Sequence, residues 1–308
     1  MSDLKLFRTT AAGVAELPGG AVALEKSLQT LFEGNLESLL GVRFLASEFI
    51  ASAAGRMDTL GIDENNAPVV IEYKRASNEN VINQGLFYLD WLMGHRKDFE
   101  WLVMEKLGKE VAQKVDWPGS RLICVAGDFQ KWDEHAVKQM NRTIDLVRYR
   151  RYGDDLLLLE QLTATTASPA AGGQGAAVAT ASGATGLTKK TKTVSQQIEE
   201  APPALLDLYH AVAAYLQAAG DDVQVKPTDL YIAFRRLKNF ACLEMRNQIG
   251  KLLVFVRVNP DTVALEPGFT KDMRGIGHYG TGDLEISIHT LADLEKAKPL
   301  FDKAYQNG

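Results

Sequence analysis

Asp58, Glu72 and Lys74 are the residues whose types and spacing could do chemistry. They stand in two short apolar runs, Gly55-Arg56-Met57-Asp58-Thr59-Leu60 and Pro68-Val69-Val70-Ile71-Glu72-Tyr73-Lys74-Arg75. Between the runs lies Asp63-Glu64-Asn65-Asn66, which is turn chemistry, so the pattern predicts a strand hairpin. Side chains alternate along a strand, which sends Glu72 and Lys74 to one side and Val69, Ile71 and Tyr73 to the other. If the two strands are adjacent, Asp58 and Glu72 supply two carboxylates to one place. Mg2+ takes oxygen ligands, keeps several waters and needs only one or two protein carboxylates. A carbonyl such as that of Tyr73 would add another oxygen. Lys74 would then orient an attacking water or stabilise charge developing on a phosphate. Set against this is a solvated strand pair with ordinary surface charges. An isolated Asp…Glu-x-Lys has little specificity.

The neighbours sharpen the expectation. Val69-Val70-Ile71 suits a central strand covered on both faces, where charges at the end are costly unless paired or metal-bound. Gln84 and Tyr88 fall at i and i+4 of the following helical segment, on one face that can lie over the strand end.

These elements sit in a chain of 308 residues, enough for two ordinary domains of roughly 100–200 residues each. The chain is 46% hydrophobic and 24% charged, as in a globular protein. Its net charge of −5 counts against a passive nucleic-acid coat but not against a nuclease, which needs only local positive patches. Cys124 and Cys242 lie in apolar runs and are expected as buried thiols, with no thiolate metal site. The start, Met1 to Thr10, has no apolar signal core, and no stretch approaches a membrane span, so a cytoplasmic, membrane-free protein is expected.

The stretch from about Ala164 to Lys192 holds no large apolar side chain until Leu187 and cannot offset its ordering entropy. Residues 163–193 are therefore expected as a flexible linker between domains 1–162 and 194–308. In the first domain the pattern predicts a helix over Val22–Leu40, a strand near Phe44–Ala51 and the hairpin of Arg56–Ile62 with Val69–Arg75. A helix over Asn80–Met93, a strand at Arg121–Ala126 and a helix at Asp133–Asn141 follow, then a hairpin of Ile144–Tyr149 with Leu156–Gln161. That order implies an α/β domain, a mixed sheet flanked by helices. The second, smaller domain reads as α+β. It has a helix over Ala204–Ala218, strands at Tyr231–Leu237, Ala241–Arg246, Leu252–Val258 and Leu284–Ile288, and a helix opened by Thr290 and Asp293.

Taken together, Gly55-Arg56-Met57-Asp58, Val70-Ile71-Glu72-Tyr73-Lys74, Gln84 and Tyr88 resemble the PD-(D/E)xK nuclease superfamily over about residues 20–160, and its NucS-like endonuclease domain in particular. Met57 stands where the superfamily often has proline. The resemblance implies a restriction-endonuclease-like fold and Mg2+- or Mn2+-dependent cleavage of DNA or RNA, with DNA the first expectation. It makes Asp58 and Glu72 metal ligands, Lys74 catalytic, and Gln84 and Tyr88 supporting groups. A glutamate of the first helix completes such sites. Glu25 is the first choice for its place at the helix start, with Glu33 and Glu37 as competitors. Nucleases of this kind often pair, so the resemblance leaves a homodimer open. The stretches Asp229-Leu-Tyr-Ile-Ala-Phe, Asn239-Phe-Ala and Gly275-Ile-Gly277-His278-Tyr279-Gly280-Thr-Gly282-Asp283 resemble the DUF5655 domain over about 195–306, a family of unknown function.

Weaker signals remain. Arg148-Tyr149-Arg150-Arg151-Tyr152 interleaves basic and aromatic residues and would hold a phosphate backbone, unless it is an edge strand guarded by charge. The run Arg235-Arg236-Leu237-Lys238 carries the same two readings, and Arg56, two residues before Asp58, either lies beside the site to meet nucleic acid or makes a structural salt bridge. Gly275-x-Gly277-x-x-Gly280 matches a dinucleotide pattern, but a strand rather than a helix follows, so a tight glycine loop is expected. Trp91, Trp101, Trp117 and Trp132 are expected in the core. The five histidines show no ligand-like spacing.

Overall fold

The structure is a computed structural model, and it describes residues 4–22, 24–51, 55–74, 81–165 and 192–308. Most of the expected linker, 166–191, lies outside the described residues, as do Arg75 and Asn80 at the edges of two expected elements.

The chain opens with a hairpin that sequence patterning did not predict, β1 (Leu6–Thr10) and β2 (Gly13–Leu17), followed by the short β3 (Gly19–Gly20). The helix expected over Val22–Leu40 is two helices, α1 (Glu25–Glu33) and α2 (Leu36–Leu40), because Gly34-Asn35 interrupts the apolar stripe. Next come β4 (Val42–Ile50), β5 (Arg56–Asp63), β6 (Pro68–Lys74) and α3 (Val81–Gly94). Two further helices were not expected, α4 (Arg96–Leu107) and α5 (Lys109–Ala112). The charged faces of α4 leave only Phe99 and Val103 buried, too faint an apolar stripe to read. Then follow β7 (Arg121–Ala126), α6 (Lys131–Gln139), β8 (Ile144–Tyr152) and β9 (Leu156–Ala164), the last running past the expected domain end at 162.

Among the described residues these strands make a seven-stranded mixed sheet in the order β3-β8-β7-β6-β5-β4, with β9 also on β8. The β4–β5–β6 meander is antiparallel, and β6, β7 and β8 run parallel. Both faces of the sheet are covered, as the apolar run Val69-Val70-Ile71 implied. Val70, Leu122 and Cys124 pack against α3 and α4, while Val69, Ile71 and Tyr73 pack against Leu28 and Phe32 of α1.

The second unit contains α7 (Val194–Glu199), α8 (Pro203–Gln217), β10 (Gln224–Pro227), β11 (Ile232–Arg235), β12 (Asn239–Arg246), β13 (Lys251–Val256), β14 (Thr270–Asp272), β15 (Leu284–Ile288) and α9 (Leu291–Gln306). Its six-stranded antiparallel sheet, β10-β11-β12-β13-β15-β14, is backed by α8 and α9 through Leu208, Val212, Phe234, Val254, Ile286 and Phe301. The molecule is thus mixed α/β with an α+β second unit.

The two units are docked. Asp145 of β8 lies between Arg121 of β7, at 2.6 Å, and Arg235 of β11, at 3.1 Å, and all three are buried. Arg121 Nε also lies 3.4 Å from Asp63 Oδ2. Beside this network, Asn65 Oδ1 accepts from Tyr231 Oη at 2.9 Å and from Asn239 Nδ2 at 2.8 Å. Arg235 is therefore a structural partner of Asp145 rather than a phosphate contact. The second unit grips the turn between β5 and β6. Trp101 and Trp132, expected in the core, are instead 66% and 78% exposed, while Trp117 is buried.

Candidate active site

The antiparallel pairing of β5 with β6 matches Thr59 to Ile71, which sets Asp58 opposite Glu72. The two carboxylates are tied reciprocally. Asp58 N–H donates to Glu72 Oε1 at 3.1 Å, and Tyr73 N–H donates to Asp58 Oδ2 at 3.0 Å. Glu72 Oε2 is buried and has no hydrogen-bond partner. Burial, followed by the neighbouring Asp58 charge, pushes the Glu72 carboxyl up to about 8. Burial also raises Asp58, against the pull of the Tyr73 amide and the Lys74 charge. A buried acceptor without a partner costs about 1–3 kcal/mol, so a proton or a cation on Glu72 would relieve it.

Lys74 ends β6, and its Nζ lies 3.8 Å from Glu25 Oε2 in the first turn of α1. Its charge acts on both Asp58 and Glu72. The structure thus brings together Asp58, Glu72, Lys74 and Glu25. The competing glutamates stand elsewhere. Glu33 accepts from Thr59 Oγ1 at 2.7 Å and Gln29 Nε2 at 2.9 Å, and Glu37 lines a cleft at the boundary between the units.

Gln84 and Tyr88 of α3 share a face as expected, with Gln84 Nε2 donating to Tyr88 Oη at 3.2 Å. Tyr88 Oη also accepts the Arg56 N–H at 3.2 Å. This accounts for Gly55, whose φ is +113° and where a Cβ would meet the Tyr88 hydroxyl at 2.9 Å. The helix face therefore fixes the entry of β5, two residues before Asp58, rather than touching the carboxylates directly.

Sequence patterning missed Glu48, Lys26 and Gln29. Glu48 faces Asp58 across β4 and β5 and has φ 51°, a left-handed conformation uncommon outside glycine. It pairs with Lys26 at 2.6 Å and Arg56 at 2.9 Å, and its charge adds to the rise in Asp58. Buried Gln29 donates to the Asp58 carbonyl at 2.7 Å. A strand pattern around Phe44–Ala51 contains no signal for such a left-handed residue.

The basic residues divide. Arg56 is exposed but paired with Glu48. Arg148 is buried, its guanidinium held by Glu160 at 2.5 Å and Asp128 at 3.2 Å. Arg150 and Arg151 are half-buried, and Arg151 Nη2 bonds the Asp154 carbonyl at 2.8 Å. Among the described residues, no three His, Cys, Asp or Glu side chains converge as metal ligands. Asp58 and Glu72 are the two carboxylates that meet here, and one or two protein carboxylates are what a Mg2+ that keeps its waters takes. Cys124 and Cys242 are buried free thiols, and no described helix is long and apolar enough to cross a membrane. The glycine loop precedes β15 as expected, and the His278 ring stacks on Phe255 at 4.4 Å.

No solved structure matches the chain. Over 306 residues it is 28% identical to an uncharacterized protein of Haemophilus influenzae, an alignment covering 99% of this chain and 100% of the relative. Residues 194–308, the unit docked on the β5–β6 turn, match the DUF5655 family, a domain of unknown function.

Proposed function

We propose that the first unit is a divalent-metal-dependent nuclease of restriction-endonuclease-like fold that hydrolyses phosphodiester bonds, with DNA as the first substrate and repair or defence as its setting. The observation that carries this is the Asp58–Glu72 pair with its buried, unpartnered Glu72 Oε2 beside Lys74. Asp58 and Glu72 would hold Mg2+ or Mn2+, which supplies a polarised phosphate and a water acidified toward neutral pH. The chain's own groups do the rest. Lys74 presents a cation next to the two carboxylates, where it orients water or stabilises phosphate charge, and Glu25 limits its swing. Gln84, Tyr88 and Gln29 hold the β5 backbone in place. Arg56, Arg150 and Arg151 are the basic groups left to meet a phosphate backbone, since Arg148 is committed to Asp128 and Glu160.

Purified protein with Mn2+ should cut single-stranded, branched or duplex DNA. Asp58→Asn and Lys74→Met should each lower the rate by about a hundredfold or more. Wild-type protein no faster than Lys74→Met on every substrate would refute the proposal. The second reading is a module that binds nucleic acid or a partner without cutting, on the same fold. The commitment of Arg148 and the net charge of −5 favour it over a broad cationic groove. Binding undiminished in EDTA, with no cleavage in any metal, would select it.

A further inference from the structure

The boundary between the two units holds a cleft of about 510 Å³, within the size range of small-molecule sites, which favour domain interfaces. Glu37, Ser38, Arg43 and Glu64 of the first unit line it, with Arg257 and Thr281 of the second. Thr281 belongs to the glycine loop, and Lys238, from the basic run before β12, reaches the cleft by donating to the Ser38 carbonyl at 3.0 Å. Both motifs are left unused by the hydrolytic site.

The cations here outnumber the carboxylates. Glu64 is engaged by Arg257 and by the Asn239 N–H at 2.8 Å. Arg43 donates to neutral acceptors, the Asn66 side chain at 2.7 Å and the Asp63 carbonyl at 3.4 Å. Lys238 likewise donates to a carbonyl. Among the described residues around the cleft, Arg43, Lys238 and Arg257 stand against two carboxylates, Glu37 and a Glu64 shared between Arg257 and Lys238. Burial, followed by the nearby Arg257 charge, lowers the Lys238 ammonium from its ordinary value against the pull of Glu64. The backbone is shaped for close approach. Gly41 has φ +63°, and a Cβ there would lie 2.9 Å from Lys238 Cγ and 3.0 Å from the Glu64 carboxylate. Asn66, which holds Arg43, has φ 61°.

We propose that this cleft binds a small phosphate-bearing molecule held by Arg43, Lys238 and the Thr281 hydroxyl, and that its binding tightens the docking of the DUF5655 domain on the first unit. A guanidinium fork, an ammonium and a hydroxyl contributed from different elements around one cleft suit a tetrahedral anion better than a planar carboxylate. The walls come from both units, so an occupant stabilises the docked form by mass action. The site lies at the turn end of β5 and β6 and stands independently of any cleavage.

The test uses the full-length chain with inorganic phosphate and pyrophosphate as probes, read by calorimetry and by thermal unfolding against chloride of equal ionic strength. Saturable one-to-one binding with a rising unfolding midpoint is expected. The Arg43→Gln, Lys238→Gln double variant should bind about tenfold or more weakly. Glu37→Gln, a surface change that spares folding, should bind more tightly by removing a repelling charge. Absence of saturable binding, equal affinity in the double variant, or no gain in Glu37→Gln would each overturn the assignment. Displacement of pyrophosphate by a short oligodeoxynucleotide would transfer the cleft to a nucleic-acid backbone and overturn the small-molecule claim.

Discussion

Asp145 and Glu72 are both buried carboxylates on parallel strands of one sheet, yet their surroundings treat them in opposite ways. Burial alone would raise Asp145, but Arg235 and Arg121 outweigh it and hold the carboxyl below its ordinary value. Glu72 has backbone help from Asp58 on one oxygen, nothing on the other, and a second carboxylate beside it, so it rises to about 8. The first acid is satisfied by the chain and joins two folded units. The second is not satisfied by the chain, and an unsatisfied, perturbed acid at a strand end is where chemistry is expected. Burial by itself therefore does not tell the two acids apart. The identity of the compensating groups does.

The largest effect should come from breaking the satisfied acid. Arg235→Met leaves Asp145 short of a cation and removes a buried link between the units. It should destabilise the protein by about 3–5 kcal/mol in denaturant unfolding. A loss below about 1 kcal/mol would mean the network does not join them. Next comes Glu72→Gln, which keeps an acceptor for the Asp58 N–H and ends the ionisation problem. In EDTA at pH 7 to 8 it should stabilise the protein by on the order of 2–3 kcal/mol.

The two acids should also give stability profiles of opposite slope. The Glu72 pKa is raised on folding, so its favourable contribution is complete below about 4.5 and is lost as pH rises through about 8. The Asp145 pKa is lowered on folding, so its contribution is complete above about 3.8 and is lost as pH falls through the lower folded value. Wild-type protein in EDTA should thus weaken at both ends, and Glu72→Gln should abolish only the alkaline limb. Mg2+ or Mn2+ should flatten that same limb in wild type and leave Glu72→Gln unchanged. An equal response in both proteins would dissociate the cation from this site. The smallest effect belongs to Tyr88→Phe, which removes the acceptor of the Arg56 N–H and should cost about 1 kcal/mol in unfolding.

The hairpin and its carboxylates were legible because two short-range rules suffice for them. Alternation puts residues on a strand face, and Asp63-Glu64-Asn65-Asn66 turns the chain back, with Asp63 Oδ1 accepting from Asn65 and Ala67 N–H as such turns do. The choice of Glu25 followed from its place at a helix start, and the structure sets it against Lys74. The ion pairs of Arg148 were not legible, because a basic run looks the same whether it faces solvent or, as here, acids on a neighbouring strand and loop. Glu48 carried no signal, since a left-handed residue within a strand is fixed by the ladder around it.

The sequence alone determined the central strands β5 to β8 and helix α3, the burial of both cysteines, and the meeting of Asp58 with Glu72, because these follow from periodicity and local turns. Only the tertiary structure decided that Glu72 lacks a partner for one oxygen while Asp145 has two arginines, and that the DUF5655 domain is clasped to the β5–β6 turn. Those outcomes depend on which groups long-range packing places within about 4 Å of a buried charge. Local spacing along the chain does not encode that distance.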